Sequence, residues 1–295
     1  MIKISKIFFR LGKIKENNNI IEKKFKLKKN SLFKLTGIKE RYLSNHEQTS
    51  ENLALDVCKK LKKKEILSLT HIISVTNTPS IRFPGISNYV ASFLKKENVH
   101  NINLNSGCSG FIDALILSYG LIKNNKKSKI LIVTSDTYSK YISKKNKNIR
   151  PLFSDGASIA YIEYDKKGFK LSKIITKNII NTQDDLIFNK EEIKMNGPAV
   201  VSFAIKHVIP EIVKNSKNIE NIYIHQAGKI VTQLLKSEFK NEKIIPTNYE
   251  KYGNLVSTSI PVLIKENFKQ FNKNKSVLLC GFGVGLSMSM VKLKK

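Results

Sequence analysis

The segment GFIDALILSYGLIKNN, residues 110–125, constrains the fold more than any other. Its spacing is helical, yet it is apolar on nearly every face. Such a helix needs cover all round and belongs at the centre of a layered protein. Short apolar strands flank it: NINLNS (101–106) before and KILIVTSD (129–136) after. The alternation continues in both directions. THIISVTNT (70–78) and ASIAYIEYD (157–165) read as strands, and PGISNYVASFLKK (84–96) as a helix opened by proline. Further on, AVVSFAIKHVIPEIVKN (199–215) reads as a helix kinked near Pro210 and IENIYIHQ (219–226) as a strand. KIVTQLLKSEFK (229–240) and NLVSTSIPVLIKENFKQF (254–271) read as helices, and 275–293 as two apolar strands about a glycine-rich turn. This pattern implies an α/β architecture with helices sandwiched between sheets.

Two stretches carry less pattern. Residues 1–50 are basic and weakly periodic, with a turn at Gly37; beyond them SENLALDVCKKLKKK (50–64) is an amphipathic helix that places Cys58 beside its apolar face. Residues 165–195 read as a linker rich in Asn, Asp and Lys. A chain of 295 residues with this many apolar segments forms one large domain or two closely packed halves.

The formal charge of +29 raises the possibility of a nucleic-acid partner, but only four of 52 basic residues are arginine, the side chain suited to forked recognition of bases and phosphates. The lysines are spread over the whole length. They are either a solvated surface or an attraction for an acidic partner. Cys58, Cys108 and Cys280 are far apart in sequence, with no CxxC and no Cys/His spacing for zinc, so no metal site is expected. The cysteine usage points to a reducing, cytoplasmic compartment, and no apolar run approaches the roughly 20 residues that span a bilayer.

Three polar corners hold the residues with chemical potential. Ser106-Gly107-Cys108-Ser109-Gly110 sets a cysteine at the start of the central helix, where the macrodipole favours a thiolate. The alternative is a small buried hydrophobe. His225-Gln226-Ala227-Gly228 follows a strand and offers an imidazole that is either structural or a donor or base. Lys251-Tyr252-Gly253-Asn254 precedes a helix, so Asn254 is an N-cap or an amide donor to a developing oxyanion.

At these residues the chain resembles the β-ketoacyl-[acyl-carrier-protein] synthase III family of thiolase-like condensing enzymes. The resemblance runs nearly end to end through TGIKER (36–41), RFPG (82–85), GCSGFIDAL (107–115), RPLFSDGAS (150–158), MNGPAV (195–200), HQAG (225–228), YGNLVSTSIP (252–261) and GFGVGLSMS (281–289), all in the family's order. It implies a five-layered αβαβα fold of two similar halves, residues 1–165 carrying the cysteine and 166–295 carrying the histidine and asparagine. It implies an acyltransferase in fatty-acid or specialised acyl-chain biosynthesis. Cys108 takes an acyl group from acyl-CoA or acyl-carrier protein, with no bound cofactor. Malonyl-carrier protein then decarboxylates, its enolate held by His225 and Asn254, and the carbanion attacks the acyl-cysteine. The backbone N–H groups of Cys108 and Val284 form the oxyanion hole. By the same resemblance Phe83 and Phe282 are expected to line or gate the acyl pocket, and Lys206 and Lys229 are candidate docking residues for an acidic carrier protein. A homodimer is implied as well. The alternative on the same fold is an acyltransferase to an alcohol or amine, without condensation.

The chain departs from the family's pattern around the donor site. It has no tryptophan; Ser31 stands where the family stacks adenine on that residue, and Leu35 where it has an arginine. Gly228 replaces the asparagine after HQA, and Pro198 stands in the MNGPAV loop.

Overall fold

The computed structural model describes residues 1–189, 191–240 and 243–295. In chain order the strands are β1 (Ile2–Leu11), β2 (Ile14–Asn17), β3 (Glu40–Leu43), β4 (His71–Val75), β5 (His100–Leu104), β6 (Lys129–Asp136), β7 (Gly156–Tyr164), β8 (Lys170–Asn178), β9 (Leu186–Asn189), β10 (Glu192–Met195), β11 (Asn221–Ile224), β12 (Ser276–Gly283) and β13 (Ser287–Lys294). They form a five-stranded sheet ordered β1-β7-β6-β4-β5, a four-stranded sheet ordered β11-β12-β13-β8, and two small hairpins, β2-β3 and β9-β10.

The two large sheets repeat one arrangement. In the first, β4 pairs parallel with both β5 and β6, and β7 runs antiparallel between β6 and β1. In the second, β11 pairs parallel with β12, and β13 runs antiparallel between β12 and β8. A parallel bridge from Asn221 to Ile244 takes the place that β5 has beside β4.

The cores explain the layering. The helices Gly110–Asn124 and Ser259–Glu266 lie between the sheets, packing Phe111, Leu115, Ile260 and Leu263 against Ile73, Ile132, Val277 and Val291. Outside the first sheet, the helices Ser50–Cys58 and Ile86–Phe93 cover Ile72, Leu131 and Ile159. Outside the second, Val208, Ile212, Val231 and Leu235 cover Ile222, Leu278 and Met290. Five layers result, with the all-round apolar helix in the middle as its composition requires. Among the described residues no helix is long and apolar enough to cross a membrane.

Two expectations are corrected. The weakly patterned N-terminus holds β1, a ten-residue edge strand paired with β7. Its period-two alternation is broken by a register shift between Ile4 and Lys6, which puts consecutive residues out of step with the sheet faces. The stretch 165–195 is more than a linker, since it supplies β8 and the β9-β10 hairpin. The helix expected over 199–215 is interrupted by a π-turn at Ala204–Val208 that ends just before Pro210.

Candidate active site

Cys108 sits in a 3-10 turn, Gly107–Ser109, that leads directly into the central helix. Close approach makes this turn. Gly107 has φ +53°, and a side chain there would collide with the Asn77 amide and meet Val284 Cγ2 at 2.7 Å. From the other side Gly283, at φ +154°, lets β12 pass so closely that a Cβ would lie 3.0 Å from Cys108 Sγ. The thiol is buried, yet it lines a cavity of about 730 Å³.

His225 and Asn254 line the same cavity, as do Phe282, Gly283 and Lys229. His225 follows β11 directly, and its N–H donates to Cys280 O at 2.9 Å, which carries the strand pairing to the cavity edge. Its ring is buried edge-on to Phe282, with centroids 5.5 Å apart. Burial pushes the imidazole pKa down to about 3, so the ring is neutral at working pH. Among the described residues Nδ1 finds no partner. The next residue, Gln226, is structural: its Oε1 accepts the Asn248 N–H at 2.9 Å and fastens the segment leading to Asn254.

Asn254 is not the N-cap of a following helix: Leu255 caps the 3-10 turn and Thr258 the helix Ser259–Glu266. Asn254 Oδ1 accepts the Val256 N–H at 2.9 Å, which orients the amide and leaves Nδ2 as the donor for the cavity. Its backbone joins the FSDGA segment: the Ser154 N–H donates to Asn254 O, and the Asn254 N–H to Leu152 O, both at 2.9 Å.

The expectation of a resting thiolate is corrected. Burial pushes the Cys108 thiol up to about 12, and the carboxylate of Asp136 adds to the rise. The N–H groups of Val284 and of Cys108 itself work in the opposite direction, and burial outweighs them. A helix terminus lowers a thiol's pKa where the thiol is partly solvated; here the sulfur sits behind Gly283 in a cluster with Tyr138, Phe153, Leu186 and Val256.

The remaining residues separate. Phe282 is buried at the cavity and Val284 stands beside the thiol. Phe83 is 79% exposed and does not line the cavity of its own chain. Lys229 lines the cavity, whereas Lys206 is exposed away from its wall. Leu35, Pro198 and Gly228 line it too, so three of the four departures from the family's pattern meet at one cavity; Ser31 does not.

Sequence reasoning missed Asp136 and Ser257. Asp136 ends β6, is fully buried, and accepts the Asn77 N–H at 2.8 Å and both donors of Ser257. Its one signal was position: a carboxylate closing an apolar strand.

Two sheets of one repeated order around a shared helical layer, with a thiol, an imidazole and a carboxamide meeting in one cavity, make this a thiolase-like α/β protein. Comparison with known proteins carries this further. Residues 102–178 match the model of 3-oxoacyl-[acyl-carrier-protein] synthase III and residues 213–295 its C-terminal model. The chain is 30% identical over 288 residues to β-ketoacyl-[acyl-carrier-protein] synthase III of Streptococcus mutans, covering 88% of each. It is 28% identical to the Streptococcus agalactiae enzyme of the same name, again over 88% of each. Its fold superposes on the crystal structure of 3-oxoacyl-[acyl-carrier-protein] synthase III from Aquifex aeolicus with a TM-score of 0.88 at 24% identity, covering 100% of both chains. The chain belongs to the 3-oxoacyl-[acyl-carrier-protein] synthase III family.

Proposed function

We propose that this chain is a condensing acyltransferase that joins an acyl group to malonyl-carrier protein in fatty-acid or specialised acyl-chain synthesis. The observation that carries the reading is the convergence of Cys108, His225 and Asn254 on one largely apolar cavity, in a chain of this family.

In the first step the Cys108 sulfur attacks the carbonyl of an acyl thioester. A C–S bond forms, the donor's C–S bond breaks, and the proton lost by Cys108 leaves on the donor thiol. The oxyanion is held by the N–H groups of Cys108 and Val284, the same two that face the sulfur. In the second step malonyl-carrier protein loses carbon dioxide. The electron pair moves onto its thioester oxygen, which accepts from His225 and from Asn254 Nδ2. A neutral imidazole suits this role, because it donates without adding a charge that would hold the malonyl carboxylate back. The enolate carbon then attacks the acyl-cysteine. A C–C bond forms, the C–S bond breaks, and the thiol takes up a proton. The substrates bring their own activation as thioesters, so the scheme calls for no bound cofactor.

The finer readings rest on this one. Residues 1–165 and 166–295 act as two halves, the first bringing the nucleophile and the second the enolate donors. Lys229 at the cavity, and Lys206 more weakly, meet an acidic carrier protein, which the lysine excess favours. The chain works as a homodimer in the cytoplasm, where its three free cysteines stay reduced. Phe83, exposed in the single chain, is then a surface for the second copy, and its acyl-gating role requires that copy.

The test is intact-mass spectrometry with a panel of acyl thioesters, followed by malonyl-carrier protein. An adduct on Cys108 that is consumed with release of carbon dioxide and a 3-oxoacyl product is expected. An ester or amide of an added alcohol or amine, with no 3-oxoacyl product, would replace this reading by the non-condensing one.

A further inference from the structure

The carboxylate of Asp136 lies outside the reaction scheme, yet it sits between the two corners that the scheme depends on. Oδ1 accepts the Asn77 N–H at 2.8 Å, with Thr78 Oγ1 at 3.3 Å and Thr76 Oγ1 at 3.4 Å. Oδ2 accepts the Ser257 N–H at 3.3 Å and a close Ser257 hydroxyl. One oxygen thus serves the corner after β4, the other the turn after Asn254.

What each corner touches gives this arrangement its meaning. Asn77 packs over the backbone of Gly107, beside Cys108, and its Oδ1 accepts the Tyr138 hydroxyl at 3.3 Å. On the other side, Ser257 follows Val256, a buried β-branched residue at φ +51°. Left-handed backbone is strained for valine and persists only where neighbours hold it. Its N–H in that conformation is the one that Asn254 Oδ1 accepts. If Ser257 is released, the restraint on Val256 goes, and with it the orientation of the Asn254 amide.

We propose that Asp136 is a positioning residue for the condensation, acting through Ser257 and Val256 on the Asn254 amide and through Asn77 on the turn that carries Cys108. The inference rests on the proposed function, but part of its test does not. Asp136→Asn keeps the size of the side chain and replaces an acceptor with a donor; Ser257→Ala removes one arm and leaves the charge.

Three measurements decide it on the full-length protein. In both variants the rate of carbon dioxide release from malonyl-carrier protein, divided by the rate of Cys108 acylation by acyl-pantetheine, should fall by roughly tenfold or more, as loss of hydrogen bonds to a buried charge predicts. Combined with Asn254→Ala, either variant should add almost nothing to the fall in this ratio from Asn254→Ala alone, because in decarboxylation all three act at one amide. An unchanged ratio, or losses that multiply, overturns the proposal. The third measurement needs no substrate: the pH profile of iodoacetamide labelling at Cys108, read by peptide mass. Removing the Asp136 charge should raise labelling at pH 8 roughly threefold in Asp136→Asn, while Ser257→Ala moves it less. Among the described residues the other titratable side chains near the thiol are Tyr138 and Tyr141 beyond β6, His225 after β11, Asp113 on the following helix, and Lys147 and Lys229 on the cavity wall, and the exchange alters none of them. A wild type that is acylated but releases no carbon dioxide overturns the proposed function and leaves the inference to the labelling arm, where an unmoved profile overturns it.

Discussion

At the scale of single residues, burial decides the chemistry. With its thiol pushed up to about 12, Cys108 in the free protein is almost entirely protonated near neutrality. Its reaction with iodoacetamide should therefore rise steadily between pH 7 and 10, and a plateau below pH 8 would show that the N–H groups outweigh burial after all. Cys108→Ala should abolish acyl-enzyme formation, and a surviving adduct would move the nucleophile elsewhere. His225 carries a consequence for stability. Its folded pKa of about 3 lies below the unfolded value, so the unfolded chain binds an extra proton as pH falls below 6.5, and stability is lost in that direction. The slope is about 1.4 kcal/mol per pH unit for one such group. Asp136, raised to about 6, acts oppositely: between its unfolded value and pH 6 the folded chain holds the extra proton. In that window the two nearly cancel, so His225→Gln should make the protein more tolerant of acid and Asp136→Asn less. Urea midpoints at pH 4 and 6.5 check this; parallel behaviour of the two variants would contradict it.

At the scale of elements, glycines and turns place the site. Gly283→Ala sets a methyl group against Cys108 Sγ at a backbone angle strained for any side chain, at about 1–3 kcal/mol. Acylation of Cys108 should fall more steeply than stability, as thiol labelling and denaturation measured side by side would reveal. The elements themselves were readable where periodicity was clean. Residues 129–136 form a strand over the span that KILIVTSD marks, and the central helix runs from Gly110 to Asn124. The helix read over 254–271 divides into a 3-10 turn and two helices, Ser259–Glu266 and Phe268–Lys273. The strands β1 and β8 escaped notice because each is a sheet edge that mixes lysines with apolar residues out of strict alternation and pairs with a strand far away in sequence. Three corners of the site were legible as Cys108, His225 and Asn254, since each follows or precedes an apolar element. The supports behind them were not. That Asp136 joins Asn77 to Ser257 depends on contacts 59 and 121 residues apart, which no local pattern carries. Arg41 of the TGIKER segment is similar: its guanidinium is fully buried and donates to Asn18 Oδ1 at 2.8 Å and Pro151 O at 3.0 Å, tying two motifs whose contact the sequence does not express.

At the scale of the molecule, charge and topology remain. A net charge of +29 attracts an acidic carrier over a range set by the Debye length, about 10 Å at 0.1 M salt. Condensation with carrier-bound malonate should slow as salt rises, whereas acylation by uncharged acyl-pantetheine should not. Lys229→Glu should lower condensation at low salt and flatten its salt dependence more than Lys206→Glu does, because Lys229 lies at the cavity; equal responses would separate docking from the cavity mouth.

The repeated strand order has a further consequence. Each of the two central helices is preceded by a three-residue turn, Gly107–Ser109 before one and Val256–Thr258 before the other. Cys108 and Ser257 are the middle residues of those turns, and so occupy equivalent posts in an approximate two-fold. A chain of two identical halves would set like against like there, thiol facing thiol, with neither free to serve the other. In this molecule one post holds the candidate nucleophile and its twin is anchored to a carboxylate. Broken symmetry of this kind lets one repeated arrangement set a thiol at one post and an anchor at the other.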